Sequence, residues 1–290
     1  MTRIGALYAV LAYTAWGIVP LYWKLFGQIP ALEILSHRII WSMVFLTVLL
    51  VLQQRGAELR QLARDPKTLS ALLMTTVLIS FNWGLFIYSI TINQVVEASL
   101  GYYINPLVSV LLGSVFLKER LNRGQTIAVV LAAVGVANFV RNFGQIPWIA
   151  IGLAGSFALY GFLRKLIPVT PLVGLTVETG LATPAALIFV EYLASQGTGH
   201  LGINGWLTAL FVGCGVVTSF PLLWFNNAAK RLRLSTLGFF QYLAPSLQLL
   251  LGVFLYHEPF TLTHTVTFTL IWTALVIYSV TSLRTGQVAT

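Results

Sequence analysis

Acidic side chains are scarce in this chain, with 8 Asp and Glu against 17 Lys and Arg in 290 residues. Charged residues of both signs make up only 9% of the sequence, where an ordinary globular protein carries roughly a quarter. So little charge excludes a soluble fold, because it cannot cover an apolar content of 57%. Cysteine is nearly absent too. The single Cys214 has no partner for an intramolecular disulfide and lies in an apolar run, so it reads as a small packed side chain. Histidine is as thin: His37, His200, His257 and His264 nowhere fall at His-x-x-His or closer spacing. Neither a Gly-x-Ser-x-Gly elbow nor a Walker-type Gly-x4-Gly-Lys-Ser/Thr loop occurs. These absences argue against a metal centre, nucleotide-driven work and a membrane-embedded enzyme, and no cofactor is expected.

What is present is apolar and regularly spaced, with a mean hydropathy of +0.84. Apolar stretches run near 4–25, 32–52, 69–91, 97–117, 124–141, 146–163, 172–194, 205–228, 235–256 and 262–283. Each is long enough to cross a hydrocarbon core of about 30 Å, which takes roughly 20 helical residues. The first follows Met1, Thr2 and Arg3 directly and lacks a small-residue cleavage site, so a retained first helix is expected. The expected fold is therefore an all-α integral membrane protein of ten transmembrane helices. Its longest connection, near 53–68, carries Arg64, Asp65 and Pro66 and is expected to be a charged loop.

The net charge of +9 does not point to nucleic acid, because the basic residues sit in the short turns between apolar runs. With both termini cytoplasmic, one side holds 14 of the 17 basic residues, the other keeps Lys24 and Arg141, and Arg38 falls inside a span. That asymmetry is the positive-inside signature, and a miscount by one helix destroys it.

Pro106, Gly113 and Glu119 recur 139 positions later as Pro245, Gly252 and Glu258. Leu100, Gly101, Tyr102 and Tyr103 match Leu237, Gly238, Phe239 and Phe240 at an offset of 137, and Trp16-Gly17 resembles Tyr160-Gly161. Matches at half the chain length indicate a duplication with halves 1–142 and 143–290. Five helices per half, an odd number, make the repeats inverted, which is the architecture behind alternating access. Pro106 and Pro245 lie near the middle of their spans, as helix kinks beside a solute site or as packing kinks.

Arg38 is the sharpest single feature, since an unpaired arginine in hydrocarbon costs at least about 2.5 kcal/mol. It reads as a solute anchor or outer gate, or as a snorkelling ion pair, with Glu33 and Glu97 as available partners. Glu178 lies at comparable depth from the opposite face, so the two should not pair directly. It is a candidate proton carrier, with Arg164 or Lys165 near enough to hold it charged. Asn82, Asn105, Asn226, Gln241 and Gln248 either line a polar site or glue helices. The aromatics Trp16, Trp23, Trp83, Tyr102, Tyr103, Tyr160 and Trp224 suit either a cavity or interfacial belts; Trp23 and Trp224 look like belt residues, and Trp16 and Tyr160 like cavity residues.

The strings EILSHRIIWS from Glu33, NWGLFIYSI from Asn82, EASLGYYINPL from Glu97, TPLVGLTVET from Thr170 and STLGFFQYLAPSLQLLLGVFLYHEPF from Ser235 resemble the RarD branch of EamA-type transporters, within the drug/metabolite transporter superfamily. The resemblance covers the whole chain. It implies a central cavity lined by the first, third and fourth spans with the sixth, eighth and ninth, and a solute surrounded by Trp16, Asn82, Tyr103, Asn105, Tyr160, Trp224 and Gln241. The expected function is a secondary transporter in the inner membrane of a bacterium that moves a small metabolite or amphiphilic solute, driven by a coupling proton or an exchange solute. A non-transporting membrane scaffold or sensor is the alternative.

Overall fold

A chain this apolar must satisfy its backbone polar groups within its own segments, and helices do so. The computed structural model describes residues 2–91, 95–143, 148–255 and 262–284, and every regular element among them is helical. In chain order these are α1 (Thr2–Ile18), α2 (Pro20–Lys24), α3 (Ala31–Leu52), α4 (Gly56–Leu62), α5 (Pro66–Thr91), α6 (Val95–Phe116) and α7 (Arg123–Phe143). There follow α8 (Trp148–Leu166), α9 (Pro171–Ser195), α10 (Gly205–Arg231), α11 (Leu234–Phe240), α12 (Leu243–Leu250), a π-helical turn (Leu251–Leu255) and α13 (Leu262–Arg284). Seven helices among the described residues are long and apolar enough to cross a membrane by length and composition. Large apolar side chains such as Leu52, Ile188 and Phe254 point outward, as a surface facing lipid requires.

Two expected spans are divided. Pro20 stands at the first position of α2, so the first apolar run turns at Val19 and continues as a separate short helix. The ninth breaks between Phe240 and Leu243, and Pro245 lies in the first turn of α12, where the missing amide hydrogen costs no internal bond of that helix. Pro106, expected to kink the fourth span, lies within a continuous α6. Its carbonyl faces Gly238 of α11, where an added Cβ would approach it to 3.0 Å. The 53–68 segment is not wholly loop, because α4 buries Leu62 and forms an Arg55–Glu58 ion pair at 3.3 Å. Asp65 then accepts from the Thr68 hydroxyl at 2.6 Å and from the Lys67 and Thr68 amides, capping α5. These bonds, that from the Thr68 hydroxyl first, hold the Asp65 carboxyl below its ordinary range.

The largest core joins α1, α3, α5, α8, α9 and α10 around Tyr13, Leu46, Tyr160 and Phe225. A second core sits between α6, α7, α11 and α13 around Tyr103, Phe239, Phe268 and Tyr278. Close approach of α3 and α10 depends on Gly215, where an added Cβ would lie 2.3 Å from the Trp41 carbonyl oxygen. Gly215→Ala is therefore expected to cost about 1–3 kcal/mol of stability through overpacking, read as a lowered unfolding midpoint in detergent. Gly155→Ala, where nothing lies within 4 Å of the added atom, is expected to leave the midpoint unchanged or raise it. Equal midpoints for the two variants would contradict the packing described.

Candidate functional site

A cavity of about 90 Å³ lies inside the bundle, beside the helix interruptions after Ile18 and after Phe240. Tyr13 and Trp16 of α1, Val19 after it, Pro20 and Trp23 of α2, and Gln241, Ala244, Pro245 and Gln248 around the second break form much of its wall. The remainder comes from Arg38, from Asn82, Trp83 and Phe86 of α5, from Tyr102 and Asn105 of α6, from Phe157 of α8, and from Val217 and Thr218 of α10.

Arg38 is the only charged residue on this wall among the described residues. It is 8% exposed and forms no ion pair within them. The guanidinium carbon lies 4.1 Å from the Trp83 ring centroid and 5.3 Å from that of Trp23. Two such contacts, each worth about 2 kcal/mol when desolvated, offset much of the cost of burying the charge. The guanidinium carbon lies over both rings, and Arg38 Nε has no hydrogen-bond partner among the described residues, which leaves an N–H donor for a ligand.

The two asparagines are partly committed to the walls. Asn82 Nδ2 donates to the Leu153 carbonyl and to Ser156 Oγ, both at 3.0 Å, and Asn105 Nδ2 donates to the Ala154 carbonyl at 3.0 Å. They tie α5 and α6 to α8 while lining the space. Gln248 Nε2 donates to the Trp16 carbonyl at 3.0 Å and closes the α1–α12 side.

Several expected site residues lie elsewhere. Tyr103 is not on the cavity wall. Adjacent helical residues point about 100° apart, Tyr102 takes the cavity face with Asn105, and Tyr103 packs on Phe268 and Tyr242 at 4.9 and 6.2 Å. Tyr160 lies one turn beyond Phe157, with its hydroxyl engaged by Glu178 and Asn226. Trp224 lies two turns beyond Val217 and packs on Phe220 at 5.6 Å. Trp23, expected in an interfacial belt, stands on the cavity wall instead. Glu33 is not the partner of Arg38. Five residues apart on one helix, they face different directions, and Glu33 instead accepts from the His200 backbone amide and contacts His200 Nδ1, both at 2.7 Å. The side chain of Glu97 lies outside the described residues, as does Glu258.

At one side of the cavity the wall residues Trp16 and Phe157 pack with Phe225 in an aromatic layer with centroids 5.1–5.6 Å apart. Beneath that layer lies a buried polar cluster. Glu178 accepts from the Thr75 hydroxyl at 2.6 Å and from Tyr160 at 3.2 Å, and pairs with Arg164 at 3.6 Å. Arg164 Nε donates to Asn226 Oδ1 at 3.2 Å, and Gly174 leaves room for the guanidinium, since a Cβ there would lie 2.1 Å from Nη1. Tyr13, Phe86, Phe157 and Thr218 on the wall carry no distinctive spacing in the sequence; only the rotation of each helix assigns them. Removing one member of a buried pair strands the other charge at a cost of about 3–5 kcal/mol. Arg164→Met is therefore expected to lower the unfolding midpoint sharply, and the double variant Arg164→Met/Glu178→Leu to recover most of the loss. A double variant no more stable than the single would contradict the pairing.

Comparison with known proteins places this geometry in a family. The EamA-like transporter family matches residues 3–141. An uncharacterized transporter of Vibrio cholerae is 50% identical over 286 residues, covering 98% of this chain and 95% of the relative. The protein RarD of Escherichia coli K12 is 46% identical over 287 residues, covering 99% and 97%. A solved crystal structure superimposes with a TM-score of 0.70 at 17% identity, covering 96% of this chain and 98% of the other, a likeness of fold. Relatives this similar over their full length, together with the many apolar helices, show that the chain is a multi-pass bacterial membrane protein of the RarD branch of the EamA-like transporter family.

Proposed function

We propose that this transporter is a secondary carrier for a small organic anion with an apolar or aromatic body, moved across the cytoplasmic membrane by alternating access. The observation that carries the reading is Arg38, a buried cation stacked on two indoles and without a carboxylate partner among the described residues, on the wall of the central cavity. A fixed guanidinium edge suits bidentate recognition of a carboxylate or phosphate. Trp16, Trp23, Trp83, Phe86 and Tyr102 supply apolar contact for the solute body, and Asn82, Asn105 and Gln241 complete the binding set.

Alternating access needs a closure at each end of the site, and two distinct sets of contacts suit that role. At the end where α3 begins, Glu33 holds the His200 loop against the bundle. At the other end, Arg164, Glu178 and Tyr160 tie α8 to α9 below the aromatic layer, while Glu119 accepts from the Leu234 and Ser235 amides at the start of α11. With both termini cytoplasmic and inverted halves 1–142 and 143–290, the first closure is periplasmic and the second cytoplasmic. Neutralising Glu178 would strand Arg164, so a proton on Glu178 goes with release of that closure. An exchange solute is the other driving force open to this design.

Arg38→Ala is expected to lower uptake of an anionic solute at least about tenfold while folded yield stays near the wild-type level, and Arg38→Lys to retain a small part of the activity because a point charge replaces a planar fork. The check is solute uptake into liposomes, normalised to folded protein by size exclusion. Parallel loss of yield and uptake in both variants would make Arg38 a structural residue.

A further inference from the structure

Four prolines share one relation to the cavity. Pro20, Pro106, Pro221 and Pro245 each stand four positions after a wall residue, namely Trp16, Tyr102, Val217 and Gln241. Proline has no amide hydrogen to give the carbonyl four residues before it, so each of these wall residues loses its usual helical donor. At Trp16 the loss is made good by Gln248 Nε2 at 3.0 Å. At Gln241 it is compounded. This residue is the junction between α11 and α12, it is 6% exposed, and its side-chain Oε1 is buried without a hydrogen-bond partner among the described residues.

A buried polar atom without a partner costs about 1–3 kcal/mol, and of the twelve such side-chain atoms among the described residues four lie on this wall: Arg38 Nε, Tyr13 OH, Thr218 Oγ1 and Gln241 Oε1. Their chemistry is not uniform. Arg38 only donates, Gln241 Oε1 and the freed Gln241 carbonyl only accept, and the two hydroxyls rotate to serve either role. The cavity therefore has a donating pole at Arg38 and an accepting pole at the α11–α12 junction, where the Gln241 side chain lies within reach of the Tyr13 hydroxyl and its Oε1 is unpartnered among the described residues.

We propose that the Gln241 junction is a second recognition subsite, which accepts a hydrogen bond from a hydroxyl or amino group on the solute whose anionic group lies on Arg38. The inference rests on the reading of Arg38 as the anion site. It narrows the substrate class to organic anions that carry a donor at a fixed distance from the charge, and it assigns the break in the ninth span to specificity as well as to flexibility.

The test is affinity, by calorimetry on the full chain in lipid nanodiscs, for straight-chain carboxylates of four to eight carbons, each paired with its terminal hydroxy counterpart. A hydroxyl ordinarily weakens binding to an apolar pocket. Here, at the chain length that spans the poles, it is expected to tighten binding about tenfold or more, since a site with unpaired acceptors rejects the analogue that lacks the donor. Gln241→Leu is expected to weaken the hydroxy acid about tenfold more than the plain acid, so that the gain is lost, and Arg38→Ala to weaken both members of each pair by a similar factor. Plain acids that bind through Arg38 with no gain from the hydroxyl at any length would overturn the subsite and leave the anion reading intact. So would a gain unaffected by Gln241→Leu. No Arg38-dependent binding of any acid would overturn both.

Discussion

The stacking of Arg38 on Trp23 and Trp83 is the contact on which the rest of the site depends. A buried guanidinium paired with a carboxylate would be a neutral structural strut. Stacked on indoles it keeps its charge and its donor edge, and the protein carries an electrostatic debt that a bound anion can settle. Trp23 stands on the short α2, just after the helix interruption at Val19 and Pro20. The first helix interruption and the anion site therefore adjoin on one wall.

The same principle organises the opposite side of the cavity. The break between α11 and α12 brings Gln241, Pro245 and Gln248 to the wall, and one of these, Gln248, returns a hydrogen bond to the carbonyl beside the first break. The two interruptions brace one another across the cavity. Irregular backbone at membrane depth is tolerated where it lines a cavity or is buried in protein, and both conditions hold here. The buried ion pair of Arg164 with Glu178 lies away from the cavity wall, behind the aromatic layer. A paired charge thus sits in the closure, while Arg38, the charged residue of the wall, has no ion pair among the described residues.

Much of this was legible from the sequence, for identifiable reasons. Hydropathy located the helical segments because lipid demands long apolar runs, and Pro245 marked the break in the ninth. The isolation of Arg38 from Glu178, and the closeness of Glu178 to Arg164, followed from counting residues inward from each face. What was not legible depended on helix rotation and on distant loops. Tyr102 and Tyr103 are adjacent aromatics, and only packing against Phe268 and Tyr242 decides which one faces the cavity. Glu33 looked like a partner for Arg38, yet it is claimed by His200, 167 residues away on a connection whose path no local pattern reveals. The relation between each wall residue and the proline four positions on was present in the sequence, but it acquired meaning only once the wall was known.

The measurement that bears most directly on the account is counterflow in liposomes reconstituted with the purified chain and preloaded with an unlabelled aromatic carboxylate. If one site is exposed alternately to the two faces, uptake of the labelled acid should saturate with concentration and should accelerate when the same acid is present inside. Uptake that rises linearly with concentration and ignores the internal acid would contradict a carrier built around Arg38.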